Sequence, residues 1–309
     1  YENFDFQSLG DDFERFLIEL ELHYTIDLEA KNLLSQRFGL NFERLKSEVP
    51  NVKTFLTLLK MKAKDNFLPQ YKDLSQEYFE MMREHSSMSF GADESIQLIG
   101  PSIESIDRNH LSCGNYKVAR LGDIGPGSVC LESIPTDISF YRDHKIEDLN
   151  DLELTDLCKN FTAIFSALRL ESIQRIYKLR LNNFCFSHFS GNMFLGFQLN
   201  AAPEFLLFLV DAGFEKISVT GFDLFLNFSS PPNYKKHPNK FGSYSVFDVD
   251  LHHRMMAINH PPLQQFAIWK LLLDSELVVA DPMLDMVLRD SGFRYASLLQ
   301  KAHNATIKF

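Results

Sequence analysis

The chain has few cysteines, and no pattern among them indicates a metal site or a disulfide framework. Cys113, Cys130, Cys158 and Cys185 are spread widely through 309 residues, with no C-x-x-C pair. This spacing favours reduced thiols in a cytosolic protein over a cross-linked secreted domain. The sequence also lacks G-x-G-x-x-G and G-x-x-x-x-G-K-[ST], so the fingerprints of dinucleotide oxidoreductases and P-loop kinases are missing.

The sequence has no excess of positive charge and no long apolar run. Its formal net charge of −10 argues against non-specific nucleic-acid binding, which needs a basic surface. The longest apolar run, 205–210, is far shorter than the roughly 20 residues of a membrane-spanning helix. No signal-peptide pattern follows Tyr1. We therefore expect a segment of a longer cytoplasmic protein, with peripheral association at the inner face of the membrane left open.

What the chain does contain is material for a large core. Hydrophobic residues make up 45% of the sequence, and 29 residues are Phe. A chain of this length forms one large or two modest domains. We read the Phe residues, and Trp269, as packing material. A change in sequence pattern divides the chain into a helical subdomain over 1–92 and an α/β domain over 93–309.

The first part has helical periodicity throughout. Apolar residues recur at helical spacing in 11–24, and 27–38 ends at Gly39, a typical helix stop. Two more helices are predicted over 52–63 and 74–85. No catalytic pattern occurs here, so this part is either a packed helical subdomain or an interaction module.

The second part alternates short apolar segments with stretches long enough for helices. Strands are predicted over 95–100, 116–122, 137–143, 216–223 and 276–281, and helices within 147–170, 203–213, 263–274 and 283–290. This alternation predicts a Rossmann-like α/β fold, with a mostly parallel sheet and helices on both faces. The irregular loop 228–247 has the length of a lid or binding loop.

Glycine or polar residues follow the predicted strands. In open parallel sheets, ligands bind beyond the carboxyl ends of the strands. The four ends are Gly100-Pro101-Ser102, Gly122-Asp123, Arg142-Asp143 and Gly221-Phe222-Asp223. Any one of these ends could be a simple turn. Together they predict a ligand site.

Three motifs carry a resemblance to a known family. They are "GPSIESID" (100–107), "GFEKISVTGFDLFLNFSS" (213–230), and His253 standing before the strand end "VVADP" that closes on Pro282. Over about 93–290 the chain resembles the bacterial sialyltransferases that use CMP-sialic acid. Kdo transferases and flagellin glycosyltransferases of the motility-accessory type share such turns.

The resemblance implies a metal-independent glycosyltransferase that needs no cofactor beyond its CMP-sugar donor. Such an enzyme moves a 3-deoxy-ulosonic acid, of the sialic acid or Kdo type, to a hydroxyl of a glycan or protein, as in the synthesis of bacterial surface polysaccharide. The donor-binding positions it implies are Gly100, Pro101, Ser102, Gly122, Asp123, Arg142, Asn200, Ala201, Ala202, Gly221, Phe222, Asp223 and Phe225.

The transfer needs a base that removes the proton from the acceptor hydroxyl. Histidine titrates near neutrality and suits this role. The family spacing favours His253, with His260 as the alternate base, although His260 could instead break the chain before the next helix. Asp223 is a candidate hydrogen-bond acceptor for the donor, or the nucleophile if configuration is retained, or a residue that caps a turn or supports a neighbouring loop.

Further positions leave alternatives open. Arg142, Tyr244 and Arg254 are candidate partners for the donor carboxylate or phosphate, or ordinary surface residues. His252 and His253 also suggest a metal site, but no helical i, i+4 pair or full ligand set accompanies them.

The chain departs from the family pattern at three positions. The family asparagines are absent at the first and second strand ends, where Ile99 and Gly122-Asp123 stand, and Asn200-Ala201-Ala202 replaces Thr-Ser-Gly. A non-catalytic interaction protein on a degenerate glycosyltransferase scaffold is therefore the rival reading.

Overall fold

The computed structural model describes residues 13–43, 52, 55–56, 95–100, 116–121, 137–142, 146–167, 170–186, 199–214, 216–222, 224, 226 and 261–306. Helices and strands alternate along most of this part of the chain. Its helices are α1 (Phe13–Thr25), α2 (Leu28–Phe38), α3 (Asp151–Lys159), α4 (Leu170–Lys178), α5 (Ala201–Asp211), α6 (Pro262–Asp274), α7 (Pro282–Arg289) and α8 (Gly292–Thr306). Its strands are β1 (Ser95–Ile99), β2 (Tyr116–Leu121), β3 (Ile138–Arg142), β4 (Ala163–Ala167), β5 (Phe184–Phe186), β6 (Lys216–Thr220) and β7 (Val278–Ala280).

The seven strands form one sheet in the order β5-β4-β3-β2-β1-β6-β7. Every neighbouring pair is parallel. The predicted α/β fold is confirmed, as are the five predicted strands. Strands β4 and β5 were not predicted, and β4 lies inside the stretch assigned to a helix over 147–170. Short buried strands carry continuous apolar runs, which periodicity cannot separate from a buried helix.

Helices cover both faces of the sheet. In β4, Ala163 and Phe165 belong to the larger core, where the Phe165 ring lies 5.6 Å from that of Phe205 in α5. Ile164 points the other way, into a smaller core with Leu154 of α3 and residues of α4. Successive side chains of a strand face opposite sides, so this alternation requires a helical layer on each face.

Local sequence determines where several helices begin and end. The side chain of Asn150 accepts hydrogen bonds from the N–H groups of Leu152 and Glu153, and the Asn150 N–H donates to Oε2 of Glu153. This reciprocal capping box begins α3. Gly39 ends α2 in the left-handed conformation with φ 65°, as its position predicted.

The N-terminal helices pack against helices from the end of the chain. Leu20 and Ile26 share the larger core with Trp269 of α6. A methyl group on Gly292 of α8 would lie 2.7 Å from the Cα of Thr25. Burial, together with a hydrogen bond to Asp274, raises the pKa of Tyr24. Helix α1 is therefore held closely against α6 and α8.

The two first helical predictions are confirmed, with α1 ending one residue later than predicted. Within 52–63, the described residues 52, 55 and 56 are helical. The predicted helix 74–85 lies outside the described residues, and the domain boundary at 92/93 stays a prediction. No helix in the described ranges combines the length and the apolar character needed to cross a membrane.

Candidate functional site

The order of the strands reverses at β1. Strands β2 to β5 follow on one side of β1, whereas β6 and β7 lie on the other. Open α/β sheets bind their ligands in the crevice at such a topological switch point, beyond the carboxyl ends of the strands. Because the sheet is parallel, the ends of β1, β2, β3 and β6 lie at the same edge. The predicted grouping of these strand ends is confirmed, and the first and last flank the switch point.

Two glycines meet at this switch point. The Gly100 N–H donates to the carbonyl oxygen of Thr220 at 2.8 Å, which extends the pairing of β1 with β6. A Cβ atom on Gly100 would lie 2.2 Å from the Gly221 carbonyl oxygen and 2.8 Å from Cδ1 of Phe222. Only glycine therefore fits at residue 100 with this backbone. The first two of the three motifs that carry the family resemblance are therefore in direct contact.

Asp281 lies on the opposite side of β6 from Gly100. Its N–H donates to the Val219 carbonyl oxygen at 3.0 Å, and its Oδ2 accepts from the Gly221 N–H at 3.3 Å. Its Oδ1 accepts from the Leu284 N–H at 2.9 Å and so caps α7. Asp281 is fully buried. Sequence reasoning missed this residue, because an Asp before Pro282 predicts only a helix cap.

The N–H groups of both switch-point glycines are already used inside the protein. The Gly100 N–H donates to the Thr220 carbonyl oxygen, and the Gly221 N–H donates to the Asp281 carboxylate. Pro101, which follows Gly100, has no N–H. An anion at this corner would therefore have to find main-chain donors from Ser102 onward. The side of Gly100 where a side chain would stand is occupied by Gly221 and Phe222, so the glycine serves the packing of this corner.

The turn after β6 is anchored to the core. The Phe222 ring is buried and lies 5.4 Å from that of Trp269, which is itself buried as predicted. Leu224 has a φ of 49°, and its carbonyl oxygen accepts from the Tyr295 hydroxyl at 2.9 Å. Phe222, predicted at the donor site, thus contributes its side chain to the core.

The predicted positions 200–202 begin α5. Asn200 occupies the N-cap position, but its side chain makes no capping hydrogen bond. Its N–H donates to Oε1 of Gln265 at 2.9 Å, and this bond ties the first turn of α5 to that of α6. Ala201 is half-buried and Ala202 is buried. The start of α5 follows the prediction, while the expected side-chain cap at Asn200 is absent.

Polar side chains lie on the sheet face opposite the larger core, around the switch point. Gln97 of β1 pairs in register with Ser218 of β6. These two side chains are buried, as are those of Thr220 and Ser139. Residues in register share a face, so this face of β1 and β6 carries polar side chains together with the buried Ile99, which pairs with Thr220.

Many of the predicted site residues lie outside the described residues. They are Pro101, Ser102, Gly122, Asp123, Asp223, Phe225, Tyr244, His252, His253, Arg254 and His260. Arg142 is described only as the last residue of β3. The described candidate residues lie at the ends of β1, β3 and β6 and at the start of α5. Within the described ranges, no group of three His, Cys, Asp or Glu side chains is arranged to hold a metal ion.

Comparison with known proteins gives only distant likenesses. No family model matches the chain, and no curated protein matches its sequence. Among solved structures, the sialyltransferase CstII from Campylobacter jejuni with the substrate analogue CMP-3FNeuAc is 12% identical, with a TM-score of 0.37 over 60% of this chain and 80% of that one.

Two related structures give similar values. The same enzyme with a trisaccharide acceptor and CMP is 10% identical, with a TM-score of 0.36 over 60% of this chain and 80% of that one. An α-2,3-sialyltransferase from Campylobacter jejuni in its apo form is 10% identical, with a TM-score of 0.33 over 57% and 76% of the two chains. Sequence identities and TM-scores this low do not transfer the ligands or the activity of those enzymes to this chain.

Proposed function

We propose that the protein is a glycosyltransferase that takes a 3-deoxy-ulosonic acid from a CMP-sugar donor. The observation that carries this proposal is the contact between Gly100 and Gly221 at the switch point. The two sequence motifs that resemble the sialyltransferases meet there, in the crevice where sheets of this class bind nucleotides. Chance matches to short motifs would have no reason to fall on the two neighbouring strands that flank the strand reversal.

The described residues suggest how a nucleotide would be received. Gly100 lets β1 and β6 end in close contact, which sets the position of the residues that follow them, and the half-buried Ala201 leaves room at the start of α5. Main-chain N–H groups from Ser102 onward would meet the phosphate, since fixed donors stabilise developing charge without reorganising. Arg142, at the end of β3, is the candidate cation for the donor carboxylate or phosphate.

Transfer breaks the bond between the anomeric carbon and a phosphate oxygen, and CMP leaves with the electron pair. The acceptor hydroxyl oxygen forms the new bond to that carbon and gives its proton to a base. By resemblance, His253 is this base and the configuration inverts, with His260 as the alternate. In a retaining reaction Asp223 would instead attack the carbon first, and the acceptor would displace it.

Ligand-dependent stabilisation tests the donor class. CMP and CDP should raise the melting temperature, whereas UDP and NAD should not. A ligand at about 100 times its Kd stabilises the folded state by about 2.7 kcal/mol, which for a chain of this size is a shift of about 5 °C. A melting temperature that stays constant with every cytidine nucleotide would remove the proposal and favour the non-catalytic interaction protein.

Transfer assays test the chemistry. With CMP-activated sialic acid or Kdo as donor and a mixed glycan acceptor set, CMP release should depend on acceptor. His253→Ala should reduce turnover by about 10² to 10⁴, the usual loss when a general base is removed. If His253→Ala keeps full turnover and His260→Ala loses it, His260 is the general base. The anomeric configuration of the product, read by NMR, distinguishes direct displacement from a two-step reaction through Asp223.

A further inference from the structure

We infer that Asp281 and Tyr295 are positioning residues, which hold the described residues of the turn after β6 (Gly221, Phe222 and Leu224) in a preset shape at the edge of the sheet. The part of this inference that concerns a ligand rests on the proposed function. The part that concerns the turn stands on the geometry alone. Asp281 stands in the "VVADP" motif but has no role assigned to it there, and Tyr295 lies outside the motifs. Asp281 follows β7, and Tyr295 belongs to α8.

The turn has an unusual backbone at both of its ends. Gly221 has a φ of 78° and Leu224 a φ of 49°. Glycine tolerates the left-handed region, but a branched side chain such as that of Leu224 does so only under constraint. A residue persists in such a conformation when its surroundings overdetermine it, and residues of this kind cluster at ligand sites.

Two buried side chains supply that constraint, one at each end of the turn. Asp281 accepts from the Gly221 N–H at 3.3 Å, and the Tyr295 hydroxyl donates to the Leu224 carbonyl oxygen at 2.9 Å. Asp281 is 0% exposed and Tyr295 is 1% exposed. The same Asp281 side chain caps α7, so the turn is joined to the start of that helix.

The surrounding contacts make both side chains rigid. The Tyr295 ring stacks on Phe266 at 5.0 Å, which fixes the direction of its hydroxyl. Asp281 is held by its own N–H, which donates to Val219 at 3.0 Å in line with the pairing of β6 and β7. Asp223, the predicted donor contact, stands in sequence between the two restrained ends. The restraint therefore acts on the segment that the resemblance assigns to the nucleotide.

Asp281 does more than cap a helix, and Tyr295 does more than fill the core, because each makes an additional hydrogen bond to the turn. A capping residue needs one acceptor oxygen, whereas Asp281 uses both of its oxygens, and only one of them serves the helix. A tyrosine that acted only as core would gain from its ring alone, whereas this hydroxyl satisfies a carbonyl group 71 positions away in sequence. Both additional bonds end on the same turn.

The substitutions that isolate these bonds are conservative. Asp281→Ser keeps one oxygen for the helix cap and removes the second acceptor that meets Gly221. Tyr295→Phe keeps the stacked ring and removes the hydroxyl. Asp27→Ser is the matched control, because Asp27 is an exposed N-cap whose side chain accepts only from Ala30. Tyr177→Phe, at an exposed tyrosine of α4, is the control for the second variant.

The single tryptophan provides a readout that needs no ligand. Trp269 is the only Trp in the chain, it is 2% exposed, and it touches the Phe222 ring in the middle of the turn. If Asp281 and Tyr295 hold the turn, acrylamide should quench the fluorescence of Trp269 at least about threefold faster in Asp281→Ser and in Tyr295→Phe than in wild type or either control. Equal quenching in all five proteins would overturn the inference.

Calorimetric titration with CMP, at a temperature where every variant is fully folded, tests the link to the ligand. Asp281→Ser and Tyr295→Phe should each raise the Kd at least about tenfold, the equivalent of about 1.4 kcal/mol, while both controls bind as wild type. Lower melting temperatures with an unchanged Kd would mean a purely structural role and overturn the inference.

If Asp281→Ser does not fold, Tyr295→Phe decides by the same criteria. If wild type binds no CMP, the proposed function fails. The quenching result alone then decides whether Asp281 and Tyr295 hold the turn.

Discussion

The carbonyl oxygen of Gly221 lies 2.2 Å from the position that a Cβ atom on Gly100 would occupy. The ends of β1 and β6 are therefore packed backbone against backbone at the point where the strand order reverses. Both glycines lie at the ends of strands that the sequence predicts, and both belong to motifs on which the family resemblance rests. The contact also explains why residue 100 is glycine without reference to any ligand.

We expect Gly100→Ala to destabilise the protein by about 3 kcal/mol or more, because the added methyl group must displace backbone atoms and not the tip of a flexible side chain. Urea unfolding measures the loss. Gly39→Ala is the matched control, since its Cβ would have no neighbour within 4 Å and only its φ of 65° opposes the change. That variant should lose about 1 kcal/mol. Equal losses in the two variants would contradict the close packing at residue 100.

Two asparagines at helix starts should respond differently to the same substitution. Asn150→Ala removes the cap of α3 and should cost about 1 kcal/mol of unfolding free energy. Asn200→Ala should change that free energy by less than about 0.5 kcal/mol, because the Asn200 side chain makes no capping bond. Under the proposed function, Asn200→Ala weakens CMP binding while Asn150→Ala does not. A stability loss at Asn200 as large as that at Asn150 would show that its side chain has a structural role.

The contact between α1 and α8 predicts the effect of a third glycine substitution. Gly292→Ala adds a methyl group 2.7 Å from the Cα of Thr25, so α1 and α8 must separate. Alanine is otherwise favoured over glycine in a helix by about 1 kcal/mol. A net loss of about 1–3 kcal/mol in thermal or urea unfolding would therefore report the packing. The control is Ser297→Ala, at an exposed position of α8, which should be neutral or slightly stabilising. If Gly292→Ala is also neutral, α1 does not pack here.

The described cysteines should be nearly inert in the folded protein. Burial raises the pKa of Cys185 to about 12 and that of Cys158 to about 11. Both values lie above the ordinary value of about 8.5, so the reactive thiolate is scarce at pH 8. Iodoacetamide labelling, mapped by mass spectrometry, should leave Cys185 unmodified and modify Cys158 slowly until urea unfolds the chain.

Because burial raises the pKa of Cys185, the free energy of unfolding should depend on pH in the alkaline range. A thiol that stays protonated in the folded state but ionises in the unfolded state favours unfolding only above the unfolded pKa. The stability that Cys185 contributes should therefore be complete below about pH 8.5 and fall as the pH rises toward about 12. Cys185→Ala should flatten this alkaline decline in the free energy of unfolding. An identical slope in wild type and variant would show that other groups cause it.

Local chemistry was sufficient for much of the architecture. An acceptor side chain at Asn150 and a glycine at residue 39 mark helix ends through bonds within one or two turns, so a sequence pattern reveals them. Strands β1, β2, β3 and β6 were predictable because each apolar run stops at glycine or at a polar residue. Strand β5 was not, since it has only three residues, and β4 was not, since its mostly apolar run resembles part of a buried helix.

The sequence by itself determined most of the alternating helices and strands, the end of α2 at Gly39, and the glycines that end β1 and β6, because these depend on neighbours along the chain. Only the tertiary structure decided that Gly100 lies against Gly221, and that Asp281 reaches the Gly221 N–H from 60 positions away. Such contacts depend on strand order and register across the whole sheet. Many pairings of the same strands satisfy the same hydrophobic pattern, and the packing of the complete core selects one of them.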